Sequence, residues 1–102
     1  MQELIGIWSN DVTNLRYGED GLFSVAYTVP GLESSPVGWG TFAFDGELLT
    51  FFSDEEENCR GKTGIYNISF GDEGETIYIK VEDSCLGREE NMTLRPWQRY
   101  SP

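Results

Sequence analysis

The chain has 102 residues, of which 38% are hydrophobic and 14% aromatic, which is enough for one domain with a core and unlike a disordered chain. Lys+Arg 7 against Asp+Glu 18 gives a formal net charge of -11, which excludes the basic surface that nucleic acids and anionic membranes require. No apolar run is long enough for a membrane span. Histidine is absent, which excludes imidazole as a base or metal ligand. We therefore expect a single acidic domain over residues 1–102, with no nucleic-acid partner.

Short runs of strand-forming residues recur along the chain and are separated by turns rich in Gly and Asp. They predict eight strands, at residues 4–9, 13–17, 22–29, 37–44, 47–53, 63–70, 75–82 and 90–95. Tight turns alternate with longer loops, so in a meander one end of the sheet is closed by turns and the other carries the loops. We therefore predict an all-β, eight-stranded antiparallel up-and-down β-barrel with short strands, since closure of the sheet removes its exposed edges.

The dipeptide Asp45-Gly46 separates two of these runs and predicts a two-residue hairpin turn, because Asp and Gly tolerate positive φ. Such a turn would pair Phe42 with Leu49 and Trp39 with Phe52. The face better suited to the core then carries Gly38, Gly40, Phe42, Phe44, Leu49 and Phe51. The opposite face holds an apolar cluster of Trp39, Leu48 and Phe52, which predicts an interface with a second copy or another partner. The alternatives are a register shift that turns Trp39 inward, or shielding by the loop before it.

Alternation in the remaining strands predicts which side chains point inward. The inward set is Phe23, Val25, Tyr27, Tyr66, Ile68, Phe70, Ile77, Ile79, Val81, Met92 and Leu94, with Ala26, Thr76, Tyr78 and Lys80 among those outside. The interior is thus almost wholly apolar. We predict a ligand pocket at the open end, lined by Phe23, Tyr27, Phe42, Phe51, Tyr66 and Ile79.

Cys59 and Cys85 are the only cysteines, and both fall in loops at the predicted open end. Because these loops flank one hairpin, a disulfide between them is geometrically reasonable and would imply an oxidising compartment. The alternative is an unlinked pair in a cytoplasmic protein. Two cysteines without histidine make a poor zinc site, so no metal or cofactor is predicted.

Charged residues near these cysteines have two interpretations. The run at residues 54–58 is acidic and is interpreted as a solvated loop in preference to a cation site, since it lacks the ligand pattern of a calcium loop. Arg60, Lys62 and Arg88 also lie at the predicted open end. They either hold the carboxylate of an acidic ligand or pair with neighbouring Asp and Glu, and we favour pairing.

Gly6-Ile7-Trp8 lies on the first predicted strand, and here the chain resembles the calycins, the lipocalin-like β-barrels. In that family a Gly-x-Trp places a Trp at the closed end, often beneath an Arg from the last strand. The resemblance assigns structural roles to Gly6 and Trp8, with Arg95 or Arg99 as the arginine; plain core packing of Trp8 is the simpler interpretation. The nearer likeness is to compact bacterial secreted or lipoprotein-type domains. It rests on Asp20-Gly21, Cys59, Gly64-Ile65-Tyr66, Asp83-x-Cys85 with Arg88, and Trp97-x-Arg99.

Three functions remain open, because the sequence has no nucleophile motif, phosphate loop or metal set. The first is a small barrel that binds an apolar or amphipathic ligand at its open end, as the resemblance implies. The second is a filled barrel that serves as a structural or interaction domain. The third is a cyclase or isomerase that shapes its substrate and relies on tyrosines such as Tyr27 and Tyr66. We expect the first, in a secreted or periplasmic protein from which a signal or lipid anchor has been removed.

Overall fold

The computed structural model describes residues 3–53 and 59–100. Within these residues the strands are β1 (Gly6–Ser9), β2 (Asn14–Tyr17), β3 (Leu22–Ala26), β4 (Gly38–Phe44), β5 (Leu48–Phe52), β6 (Thr63–Phe70), β7 (Thr76–Asp83) and β8 (Gln98–Arg99). The helices are α1 (Gly31–Ser34) and α2 (Leu86–Thr93). All strands form one antiparallel sheet in the order β7-β6-β5-β4-β3-β2-β1-β8. The predicted eight-stranded, antiparallel up-and-down fold is confirmed.

The sheet curls until its two edges meet. Thr76 at the start of β7 and Trp97, just before β8, exchange two backbone hydrogen bonds of 2.9 Å. β8 also pairs with β1 through Trp8 and Arg99. The short turns after β2, β4 and β6 lie at one end, the closed end, and the connections that contain α1 and α2 lie at the other, the open end. Neither helix of the described residues has the length and apolar character needed to cross a bilayer.

The predicted strand at residues 90–95 is wrong, because residues 90–93 belong to α2 and the last strand is the later, shorter β8. A run this short carries too little periodicity to separate helix from strand. Tertiary contacts decide: α2 buries Met92 and pairs Glu89 with Lys80 of β7 at 2.9 Å. Leu94, predicted to point inward, follows the helix and is exposed.

The β4–β5 hairpin has its predicted faces but a different register. Phe42 pairs with Phe51 and Thr41 with Phe52, two residues away from the predicted pairing. Only Gly46 has a positive φ, of 101°, while the Asp45 carboxylate accepts hydrogen bonds from the N–H groups of Glu47 and Leu48 at 2.9 and 2.7 Å. The turn residues are therefore Gly46 and Glu47. A shift of two residues leaves every side chain on its original face.

The inward face of β7 is the opposite of the predicted one. Thr76 and Tyr78 are buried, whereas Ile77, Ile79 and Val81 are exposed. The pairing with β6 gives part of the reason: Phe70 lies opposite Thr76 and Ile68 opposite Tyr78, so Tyr78 shares the inward face of Ile68. The side-chain chemistry of Tyr78 also favours this face. Its ring packs against Tyr66 and Trp97, and its hydroxyl forms a hydrogen bond with the Tyr17 hydroxyl.

The core is dominated by aromatic side chains. Its buried members are Leu4, Trp8, Leu15, Tyr17, Phe23, Phe42, Leu49, Phe51, Tyr66, Ile68, Tyr78, Met92 and Trp97. Phe70, also predicted inside, is exposed at the end of β6, and Ala26, predicted outside, is buried against the start of α1.

Candidate functional site

A cavity of about 420 Å³ lies at the open end of the sheet. Its apolar walls come from β2, β3, β5 and α2, namely Leu15, Phe23, Val25, Phe51, Leu86 and Met92. Polar groups at its rim are Thr13, Tyr27, Lys62, Arg88 and Asn91, and the two cysteines complete the wall. The cavity is thus an apolar hollow with a polar rim, within the size range of ligand pockets of small molecules.

The predicted ligand-binding residues divide into three groups. Phe23 and Phe51 line the cavity, and Tyr27 stands at its rim with 68% of its surface exposed, not in the interior as predicted. Phe42 and Tyr66 are buried beneath the cavity and do not line it. Ile79 was wrongly placed inside: it is 57% exposed on the outer face of β7.

Aromatic rings fill the half of the interior towards the closed end. Tyr17 contacts Phe42 edge to face at 4.9 Å between ring centroids, and Phe23 contacts Phe51 at 4.9 Å. The series continues from Phe51 through Tyr66 and Tyr78 to Trp97. These rings form a solid floor, so a ligand has access only to the open half of the barrel.

Two tyrosine hydroxyls are paired within this floor. The oxygens of Tyr17 and Tyr78 are 2.9 Å apart, and both side chains are buried. Burial raises the pKa of Tyr78 to about 12 and raises that of Tyr17 well above its ordinary value. Both hydroxyls therefore stay neutral, and each satisfies the other in an apolar surrounding.

The predicted disulfide between Cys59 and Cys85 is confirmed. It bridges Cα atoms 5.6 Å apart and joins the loop before β6 to Cys85, the residue that immediately precedes α2. Both cysteines are buried and line the cavity. The bond thus fastens α2, one wall of the cavity, to the rest of the open end.

A buried ion pair supports the same wall. The Arg88 guanidinium of α2 donates to both carboxylate oxygens of Asp83, at 2.7 and 2.8 Å. It also donates to the Ser53 hydroxyl and the Lys62 carbonyl, while the Tyr66 hydroxyl donates to Asp83 at 2.5 Å. Arg88, a candidate for holding an acidic ligand, is therefore paired with a neighbouring acid, as favoured from the sequence.

These contacts set the ionisation of the cluster. Burial opposes the charge of Asp83, but hydrogen bonds from Arg88, Tyr66 and the Cys85 N–H outweigh it and hold the pKa of the carboxyl below its ordinary value. Burial and the hydrogen bond to Asp83 raise the pKa of Tyr66. Gly64 lies against the pair, since a Cβ there would stand 2.6 Å from Asp83 Oδ2 and 2.9 Å from Arg88 Nε. The cluster is thus a rigid, charged support.

A second polar network ties α2 to the loop between β1 and β2. The buried Asn10 side chain accepts from the N–H groups of Val12 and Thr13 and donates to the Asn91 carbonyl at 3.1 Å. Asn91 Oδ1 accepts from the Thr13 hydroxyl at 2.9 Å and from Asn10 Nδ2 at 3.2 Å. The cavity rim on this side is therefore held by hydrogen bonds within the protein.

At the closed end, the last strand, β8, contacts β1 and the residues that precede it. Arg99, not Arg95, lies over the ring of Trp8, with Cζ 4.3 Å from the ring centroid. Arg99 also donates to the carbonyls of Ile5 and Glu3, while Trp8 Nε1 donates to the Leu4 carbonyl at 2.9 Å. Arg95 instead makes an exposed pair with Asp11 at 3.6 Å.

The apolar cluster of Trp39, Leu48 and Phe52 lies on the outer face of β4 and β5, and each member is 38% exposed. Trp39 and Phe42 point to opposite sides of the sheet, as predicted. An interface with a second copy through this cluster stays a prediction.

Several residues that line the cavity were not among the six predicted ligand-binding residues. Leu15 and Val25 are signalled by strand alternation, since both lie on the inward faces of their strands. Asn91 and Leu86 carry no such signal, because they depend on α2. Within the described residues, no group of acidic or cysteine side chains is arranged to hold a metal ion. The acidic run at residues 54–58 lies outside the described residues.

Comparison with protein-family models, curated proteins and solved structures finds no match to this chain. The candidate site therefore rests on the geometry of the cavity and on the chemistry of its lining.

Proposed function

We propose that this domain binds a small apolar or amphipathic ligand in the cavity at the open end. The observation that carries the proposal is the hollow of about 420 Å³, walled by Leu15, Phe23, Val25, Phe51 and Met92. Its walls are held by a disulfide, a buried ion pair and the Asn10 network, so little ordering is needed when a ligand enters. A pre-formed apolar pocket with a few polar groups is the usual form of a small-molecule site.

The filled-barrel alternative describes only the half of the interior towards the closed end. Aromatic contacts from Tyr17 to Trp97 leave no room there, which limits the ligand to a small molecule or to one end of a longer one. The cyclase or isomerase alternative depends on a tyrosine that reaches the substrate. Tyr66 lies below the cavity and donates its hydroxyl to Asp83, which makes it a support rather than a reacting group.

The lipocalin-like resemblance supports the proposal. Trp8 beneath Arg99 at the closed end is the arrangement that the resemblance implies, and Gly6 lies beside it, where a Cβ would stand 2.6 Å from Arg99 Nη1. The disulfide supports a secreted or periplasmic location, because such bonds persist in oxidising compartments.

The test is titration with the uncharged fluorophore N-phenylnaphthylamine, whose emission rises in an apolar site. We expect saturable binding to the native chain. Val25→Trp should abolish it. Val25 lines the cavity between its cross-strand neighbours Leu15 and Gly38, and an indole at this position would fill the hollow. Leu22→Trp is the matched control, since Leu22 lies on the same strand but is exposed on the outer face.

Binding that is equally strong in Val25→Trp and the native chain would place the fluorophore elsewhere and refute the proposal. Thermal unfolding of both variants establishes that the loss in Val25→Trp comes from a filled cavity and not from unfolding.

A further inference from the structure

We propose that the ligand of this cavity is a carboxylate with an apolar tail, whose head group is held at the rim by Lys62 and Asn91. This inference rests on the proposed function and adds to it the charge of the ligand and the residues that select it.

Most cations of the described residues have other roles. Arg88 pairs with Asp83, Lys80 with Glu89 and Arg95 with Asp11, while Arg99 lies over Trp8 and bonds to backbone carbonyls. Lys62 lines the cavity, and its ammonium makes no ion pair with any residue in the described ranges. It is therefore the cation at this rim that an incoming anion can use.

The backbone of Lys62 is fixed although its side chain is exposed. Its N–H donates to the Cys59 carbonyl at 3.0 Å, and its carbonyl accepts from Arg88 Nη2 at 3.2 Å. The same Arg88 belongs to α2 and borders the cavity. The position of the Lys62 Cα relative to the cavity is thus set by the disulfide and the buried ion pair, and only the flexible stem must be ordered on binding.

Asn91 adds a second donor. Its Oδ1 already accepts from Thr13 and Asn10, which fixes the orientation of the amide. Its Nδ2 donates to no residue in the described part of the chain, and Asn91 lines the cavity. An amide NH₂ only donates, so what it needs from a ligand is an acceptor.

The two groups together favour one chemistry. An ammonium and an amide NH₂ both donate, and a carboxylate accepts from both through two oxygens. An alcohol head accepts without charge and gains less from Lys62. The net charge of -11 repels anions over the whole surface, so a local cation decides whether an anionic ligand is bound.

The test compares decanoate with decanol as competitors of N-phenylnaphthylamine on the native chain. The tails are identical and only the head differs. We expect decanoate to bind about fivefold more tightly, as an exposed charge pair allows, and the difference to shrink in high salt. Equal affinity of the two competitors would overturn the carboxylate inference while leaving the proposed function intact. If the native chain bound neither competitor nor the fluorophore, both proposals would fail.

Variants assign the effect to the rim. Lys62→Gln should remove the preference for decanoate without changing decanol, and Asn91→Asp, which keeps both acceptor contacts but replaces the donor by an anion, should reverse it. Arg16→Gln is the matched control, since it removes the same charge from an exposed side chain on β2 near the closed end. If Lys62→Gln and Arg16→Gln changed decanoate binding equally, the head-group site would be refuted.

Discussion

The guanidinium of Arg99 lies 4.3 Å above the ring centroid of Trp8, where it connects the last strand to the first. Its N–H groups reach the carbonyls of Ile5 and Glu3 and so hold the residues that precede β1. Trp8 is buried and Leu4 packs into the core beside it. The exposed Arg99 thereby holds the N-terminal segment and β8 against the Trp8 ring. β8 is the shortest strand of the sheet, so this contact supports the strand that has the fewest pairings of its own.

Gly6→Ala is expected to destabilise the fold more than Gly46→Ala does. Both glycines have positive φ, of 130° and 101°, so each alanine carries backbone strain of about 1–3 kcal/mol. At Gly6 the new Cβ would also stand 2.6 Å from Arg99 Nη1, whereas at Gly46 it meets nothing within 4 Å. Displacement of Arg99 from Trp8 adds about 1 kcal/mol to the loss. Urea unfolding measures both, and equal losses would show that the Arg99 contact contributes nothing.

The sheet and its order follow from the sequence because turns and strand runs alternate in a regular way. The β4–β5 faces follow as well, because side chains alternate along each strand and the observed register differs from the predicted one by two residues, which preserves the faces. The turn itself was misassigned by one residue, because the Asp45 carboxylate binds the N–H groups of Glu47 and Leu48 and moves the tip to Gly46. The hydrogen bonds of the Asp45 side chain to the backbone are local, yet the residue types alone do not decide which two residues form the turn.

The inward face of β7 and the existence of α2 could not be predicted. Hydrophobicity favours Ile77, Ile79 and Val81 over Tyr78 as core residues, but the partner hydroxyl of Tyr17 makes Tyr78 the better interior side chain. α2 begins at a disulfide and is held by Arg88 and Asn91, all long-range contacts. The cavity depends on α2 for one wall, which is why Leu86 and Asn91 were not predicted to line it, whereas Phe23 and Phe51 were.

Arg88→Met is expected to cost about 3–5 kcal/mol of unfolding free energy, because it leaves the Asp83 carboxylate buried without its cation. Arg95→Met is the matched control, since the Arg95–Asp11 pair is exposed and an exposed pair contributes about 0–1 kcal/mol. Denaturant titration of both variants at neutral pH gives the comparison. Similar small losses in the two would mean that Asp83 is solvated and that the ion pair does not hold α2.

Asp83 is expected to make stability depend on pH in the acid range. Its folded-state pKa is lowered from the ordinary value of 3.8, so the ionised carboxylate stabilises the fold above that value, and this contribution is lost as the pH falls through the folded-state pKa. Asp83→Asn should therefore be less stable than the native chain at neutral pH, and the difference should shrink as the pH falls below 3.8. Unfolding of both proteins across this range provides the measurement, and a difference independent of pH would contradict the assignment.

Reduction of the Cys59–Cys85 disulfide is expected to lower the free energy of unfolding by about 3.5 kcal/mol in the chain-entropy model, given its separation of 26 residues. The folded state should nevertheless keep α2 in place, because Arg88 and Asn91 bind it to Ser53, Lys62 and Thr13 independently of the sulfurs. N-phenylnaphthylamine binding should thus survive reduction under conditions where the chain stays folded.

Mass spectrometry, which detects a gain of two hydrogens, confirms that the bond has been reduced. The Cys59→Ser/Cys85→Ser variant is the control, since a reductant has no bond to act on there. Loss of fluorophore binding in a reduced but folded chain would show that the disulfide, and not the polar contacts of α2, maintains the cavity wall.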